Sequence, residues 1–251
     1  MDELLITGAG GLIGNILRRS LAARYSIRSI DRDPRGDRSV RRVDLRRRRA
    51  TVRAFEGAEA VVHLAETAGE GVDWGTVWRD NVRGTLHALE AARQAGARRF
   101  VYASSNHVTG GYEHEEPYSS IAAGRYDGLR PEDIPLLDAL APIRPDSPYA
   151  VGKAFGEAAA RHYADAFGMQ VVCLRIGTVN AQGRPTRPRH YATLLTHDDL
   201  VRLVTAALEA PADCPFAVVY GVSANTWRFW SVAEGAAIGY VPQDDAEVFR
   251  G

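Results

Sequence analysis

The sequence predicts an α/β fold, a doubly wound parallel sheet, and three observations carry that reading. Short apolar runs alternate with helical patterns through the first half of the chain. Glycine follows the long helical patterns at Gly96 and Gly168, where a helix would end. A glycine-rich turn joins the first apolar run to the first helix. Strands that alternate with helices pair in parallel through right-handed crossovers.

Taken in order, residues 4–7 read as a strand and 11–24 as a helix. Residues 26–31 read as a second strand, and 40–45 as a third followed by a helix to Phe55. The run AVVHLA at 60–65 reads as a fourth strand. Residues 74–95 form one long helical pattern capped by Gly96. RFVYAS at 99–104 is the fifth strand. Residues 111–147 break the rhythm with GGYEHEEPYSS and four later prolines, Pro131, Pro135, Pro142 and Pro145. Such a long interruption reads as a functional loop or small subdomain. A helix over 148–167, a sixth strand over 171–176 and a second irregular stretch over 177–195 follow. Thr196 reads as the N-cap of a helix running to about Glu209, with Asp199 near its third position. Residues 217–220 form a late strand. The whole of 1–251 is expected to be one domain, with 111–147 and 177–195 as substrate-side loops or a small lobe within it, and a small C-terminal substrate lobe.

Composition excludes several classes. Hydrophobic content of 45% and charged content of 25% are ordinary for a globular protein. The formal net charge of zero gives no sign of nucleic acid or an anionic membrane as partner. The opening MDELLITGAGG lacks the basic flank and apolar run of a signal peptide, and no apolar run is long enough to span a bilayer. The isolated Cys173 and Cys214 fit a reduced, cytoplasmic protein. Nine arginines between 35 and 53 read as a solvated face, since the chain as a whole is neutral. Lys153 is the only lysine of the chain. No metal ligand set is expected.

The first chemical signal is TGAGGLIG, with Gly8, Gly11 and Gly14 placed between the first strand and first helix. Glycine there permits a tight turn, close approach of a pyrophosphate and close helix–strand packing. The free amides at the helix start face the phosphates. Asp31 ends the second strand, where a carboxylate binds the adenosine ribose and repels a 2′-phosphate. NAD is therefore expected over NADP, with Arg32 and Arg35 working against that preference. The second signal is YAVGK, which puts Tyr149 and Lys153 four residues apart on one helix face. An ammonium beside a phenol favours the phenolate, so Tyr149 is poised for proton transfer.

Together TGAGGLIG, Asp31, DNVRGTLHALEAAR, VYASSNHVTG and YAVGK resemble the extended short-chain dehydrogenases, the epimerase/dehydratase family, across essentially the whole chain. That resemblance implies a Rossmann-type fold, Tyr149 as proton-transfer residue, Lys153 as its partner and holder of the nicotinamide ribose, and Ser105 bonded to the reacting oxygen. It also implies contacts to NAD from Gly8, Gly11, Leu12, Ile13, Gly14, Asp31, Arg32, Asp44, Leu45, Leu64, Ala65, Asn81, Lys153 and Ile176.

SSNH at 104–107, RPDSPYAVGK, LRIGT, THDD and VVYGVSAN are further similar to bacterial uronate dehydrogenases. That likeness implies oxidation of a sugar acid at its anomeric carbon, with Ser105, Asn106, His107, Tyr149 and Thr178 against the sugar and Arg189 on its carboxylate. Four departures stand out: Glu66 is an extra acid near the pocket, Ala68 stands near where the uronate enzymes have a serine, the 111–147 insert is long, and WRFWS at 227–231 replaces their tryptophan–aspartate ending. Roughly 75 residues follow the sixth strand, which favours a small substrate over a nucleotide sugar. Three readings stand at this stage. The first is an NAD-dependent dehydrogenase of a small sugar acid. The second is an NAD(P)H-dependent reductase of a cyclic ketone. The third is a sugar epimerase or a non-catalytic dinucleotide binder. A homodimer or higher homo-oligomer through the 74–95 and 148–167 helices is expected.

Overall fold

The computed structural model describes residues 3–69 and 71–250; the first two residues of MDELLITGAGG, Glu70 and Gly251 lie outside them. Seven strands form one parallel sheet: β1 (Glu3–Thr7), β2 (Ser26–Asp31), β3 (Arg41–Arg42), β4 (Ala60–His63), β5 (Arg99–Ser105), β6 (Gln170–Ile176) and β7 (Phe216–Gly221). Their order is β3-β2-β1-β4-β5-β6-β7. The chain winds outward from β1 in one direction, then returns to place β4 on its other side. That reversal opens a crevice at the carboxyl ends of β1 and β4, the switch point where such sheets bind ligands.

Side chains alternate across the strands, so consecutive apolar residues feed different cores. Leu4, Ile6, Val172 and Leu174 face helices α1 (Leu12–Leu21) and α8 (His197–Glu209). Leu5, Val61, Val171 and Cys173 face α2 (Arg48–Phe55), α4 (Arg83–Ala95) and α6 (Pro148–Phe167). With both faces covered, the strands read as unbroken apolar runs.

Most elements fall where the sequence puts them, and the exceptions have local causes. Strand three spans two residues, because the Asp44 carboxylate accepts from the Arg46 amide and turns the chain. The AVVHLA run leaves the sheet after His63: the Leu64 amide is shared between the Thr7 carbonyl and hydroxyl, and the Ala65 amide donates to the Thr7 hydroxyl instead of a strand. The long helix from Trp74 is not uniform: α3 (Trp74–Thr76) passes through a π-helical turn at Val77–Val82 before α4. Gly96 and Gly168 close their helices in the left-handed conformation, and the Thr196 side chain accepts from the Asp199 amide. The 111–147 insert holds α5 (Tyr118–Ala122) and a 3-10 turn at Pro131–Asp133. Its Tyr118, Ile121, Ile134 and Leu137 pack with Ala192, Phe229 and Trp230 into a third core beside the crevice.

Candidate active site

Two cavities of about 440 and 470 Å3 lie along the crevice and share Gly8, Gly11, Leu64, Glu66 and Ala68. The glycine turn divides them. Gly8 has φ +68°, and a Cβ there would lie 2.8 Å from the Ala65 nitrogen. A Cβ on Gly14 would lie 2.5 Å from the Gly8 carbonyl oxygen. The turn is thus too tight for any other residue at either position. Gly11 caps α1 without a side chain and no acid sits in the first turn, so the leading amides of α1 are left for an external acceptor. A dinucleotide pyrophosphate fits that cradle.

Asp31 closes the second cavity from the β2 end. Its carboxylate accepts from the Gly10 and Asp33 amides at 2.9 Å each, which fixes its oxygens while leaving lone pairs for ribose hydroxyls. Asp44, Leu45, Leu64, Ala65 and Arg32 line the same cavity. Two of the arginines there are paired, Arg32 with Asp80 at 2.6 Å and Arg46 with Asp44 at 2.8 Å, and Arg35 lines the cavity beside them. The Arg46 guanidinium bond holds Asp44 below the usual carboxylate range. The Asp31 carboxylate makes this end fit a ribose diol.

The first cavity gathers Leu12, Ile13, Gly14 and Ile176 with Ser105, Asn106, His107, Tyr149, Lys153, Thr178 and Arg189. Ser147 caps α6, accepting from the Ala150 amide at 3.2 Å, and Pro148 takes the first helical position. This start puts Tyr149 in the first turn and Lys153 one turn on, at the end of β5. The Lys153 ammonium donates to the Ala103 carbonyl and lies 5.6 Å from the Tyr149 ring centroid. Ser105 accepts from the His107 amide at 3.2 Å. His107 stands edge-on to Tyr149 at 6.2 Å and is bonded to Asp146 at 2.5 Å. Burial pushes the Asp146 carboxyl up, but the bonds to His107 and Ser147 prevail and its pKa is lowered. Thr178 is bonded to the Thr193 hydroxyl at 2.7 Å.

Three placements differ from simple contact with a ligand. Asn81 does not line the cavities; its amide bonds the Thr67 backbone in both directions at 3.0 Å and holds the loop after β4. Glu66 turns inward rather than toward a substrate, with its carboxylate 2.9 Å from the Lys153 ammonium. Arg189 lies against Glu113, Nε and Nη2 each donating to a carboxylate oxygen at 2.6 Å.

Behind Glu66 runs a buried chain that sequence reasoning missed. Thr7 Oγ1 accepts from two backbone amides, so its own proton goes to His63 Nδ1 at 2.8 Å. His63 Nε2 therefore donates to Thr85 at 3.1 Å, and Thr85 donates to Glu66 Oε1 at 2.8 Å. Tyr102 donates to the same oxygen at 2.8 Å. Burial pulls the His63 pKa down to about 4, partly opposed by Glu66 and reinforced by Lys153. Burial also pulls Lys153 down, but the Glu66 carboxylate and the Tyr149 phenol outweigh it and the ammonium is held above its ordinary value. A second buried pair, Arg175 with Glu157, is bonded to Ser104 and Tyr220 and braces the far wall. The one sequence signal for the first chain was a histidine inside an otherwise apolar strand; the others had none.

Residues 4–198 match the NAD dependent epimerase/dehydratase family. The chain belongs to that family. Its cofactor is NAD, and it is an oxidoreductase. It is 34% identical over 255 residues to uronate dehydrogenase from Pseudomonas putida, covering 99% of this chain and 87% of that protein. It is 34% identical to L-arabinose 1-dehydrogenase (NAD(P)(+)) from Haloferax volcanii, covering 98% of each. A tyrosine-to-alanine mutant of uronate dehydrogenase from Agrobacterium tumefaciens, solved with NAD, superposes with a TM-score of 0.84 at 32% identity, covering all of this chain and 88% of that one.

Proposed function

We propose that the protein is an NAD-dependent dehydrogenase of a small sugar acid, oxidising the ring hydroxyl at C1 to a lactone. One observation carries the reading: the Tyr149–Lys153 turn of α6 and Ser105 open into the same cavity as the glycine cradle. NAD, when bound, supplies the acceptor for the hydride leaving the substrate carbon. Ser105 holds the reacting oxygen, and Tyr149 takes its proton. The Lys153 ammonium stabilises the phenolate and is itself held in place by Ala103 and Glu66. Asn106 is buried with a side-chain amide nitrogen that lacks a partner among the described residues, a donor suited to a sugar hydroxyl. His107 and Thr178 complete the polar wall.

No described helix is long and apolar enough to cross a membrane. The free thiols of Cys173 and Cys214 support a reducing, cytoplasmic setting. The exposed Trp74 and Trp78 with Val151 and Phe155 of α6 support a homodimer through those helices.

The test is Tyr149→Phe. Its NAD reduction with sugar acids should fall about 10²–10⁴-fold, the contribution of a positioned acid–base group, while NAD affinity is retained. Turnover near the wild-type rate would remove Tyr149 from the chemistry.

A further inference from the structure

The reactive cavity carries three basic side chains, and each has a carboxylate of the protein against it. Lys153 has Glu66, His107 has Asp146 and Arg189 has Glu113. The first two pairs sit beside the reacting centre. The third stands in the same cavity, where the 106–114 helical turn meets the stretch before α7 (His190–Thr193). There Glu113 engages the guanidinium in a two-pronged bond, with its carboxylate 12% exposed.

We infer that Glu113 is a specificity-determining residue that competes for the Arg189 fork, so that the enzyme takes neutral aldoses alongside sugar acids instead of selecting the acids. The inference rests on the dehydrogenase reading above and names the substrate class of that same site. A carboxylate reaching Arg189 must displace Glu113 or share the guanidinium with it. Displacement leaves a largely buried carboxylate without its cation; sharing places two like charges on one partner. Asp146 also lies within the field of Arg189, so a sugar acid would bring a third negative charge to that wall. A neutral sugar meets neither cost, and the spare lone pairs of Glu113 can accept its hydroxyls.

D-glucuronate and D-xylose share the ring and the C1 hydroxyl and differ at C5 by the carboxylate. Wild type, Glu113→Gln and Glu113→Ala are compared on both. The wild-type kcat/KM values should lie within about tenfold of each other, because the charge-assisted bond that would separate them is already made. In Glu113→Gln the glucuronate-to-xylose ratio should rise about ten- to hundredfold, mainly through KM, and Glu113→Ala should move it the same way. In an Arg189→Ala background the same substitution should give no rise, which a merely structural brace would not predict. An unchanged or falling ratio in both Glu113 variants overturns the inference. If neither sugar reduces NAD, the dehydrogenase reading fails by itself. Glu113 is then judged by titrating both sugars into the NADH complex, where Glu113→Gln must tighten glucuronate selectively or the inference fails too.

Discussion

His63 gives a prediction whose size follows from the structure. The imidazole is fully buried between Thr7 and Thr85, and burial lowers its pKa from 6.5 to about 4. The folded state therefore binds this proton less readily than the unfolded chain. Above pH ~6.5 neither state is protonated and the group contributes no slope. Below that, the unfolded chain takes up a proton that the fold refuses, and stability falls until the folded imidazole also titrates. The full loss is about 3 kcal/mol, of which roughly 2 kcal/mol is reached by pH 5. Urea denaturation of wild type and His63→Asn from pH 8 to pH 5 isolates the term, since every other group titrates in both. The variant is less stable at pH 8, and the gap should narrow by roughly 2 kcal/mol at pH 5. A gap that stays constant would show that the folded imidazole takes up a proton as readily as the unfolded chain, and the hydrogen-bond direction assigned from Thr7 to Glu66 would then be wrong.

Two further outcomes follow from the neighbouring carboxylates. Asp31→Ser should weaken NAD and improve NADP, because the ribose diol loses its acceptor and the 2′-phosphate loses a repelling charge; cofactor titration by tryptophan fluorescence reads both, and unchanged affinities would place the ribose elsewhere. Glu66→Gln should lower stability by about 3–5 kcal/mol at neutral pH, since it leaves the buried Lys153 ammonium without its counter-charge. The deficit should shrink as pH rises and the lysine becomes able to shed its proton; a variant as stable as wild type at pH 7 would mean the pair is not formed.

The sheet was legible because its signals are local. Leu4 to Thr7, the glycine turn and Asp31 stand within one βαβ unit. Gly96, Gly168 and Thr196 mark helix ends by their own backbone and side-chain chemistry. Tyr149 and Lys153 share a helix turn, so their proximity needs no tertiary information. What the sequence left hidden is pairing over long separations. Glu113 meets Arg189 and Glu66 meets Lys153 through chain segments that only the finished fold brings together. Glu66 was visible as an extra acid near the pocket, but not that its carboxylate turns inward beneath Lys153. The π-helical turn at Val77–Val82 was equally hidden, since its apolar pattern runs smoothly into that of α4.

The most direct measurement follows the hydrogen on the oxidised carbon. Incubating the enzyme with NAD and sugar deuterated at C1, either D-glucuronate or D-xylose, should place the deuterium on C4 of the nicotinamide, with lactone formed in equal amount. The rate should be slowed relative to the protiated sugar wherever hydride transfer limits turnover. Deuterium retained in the sugar, or a change of sugar configuration without net reduced cofactor, would contradict a C1 dehydrogenase and assign the Tyr149–Lys153 cavity to other chemistry.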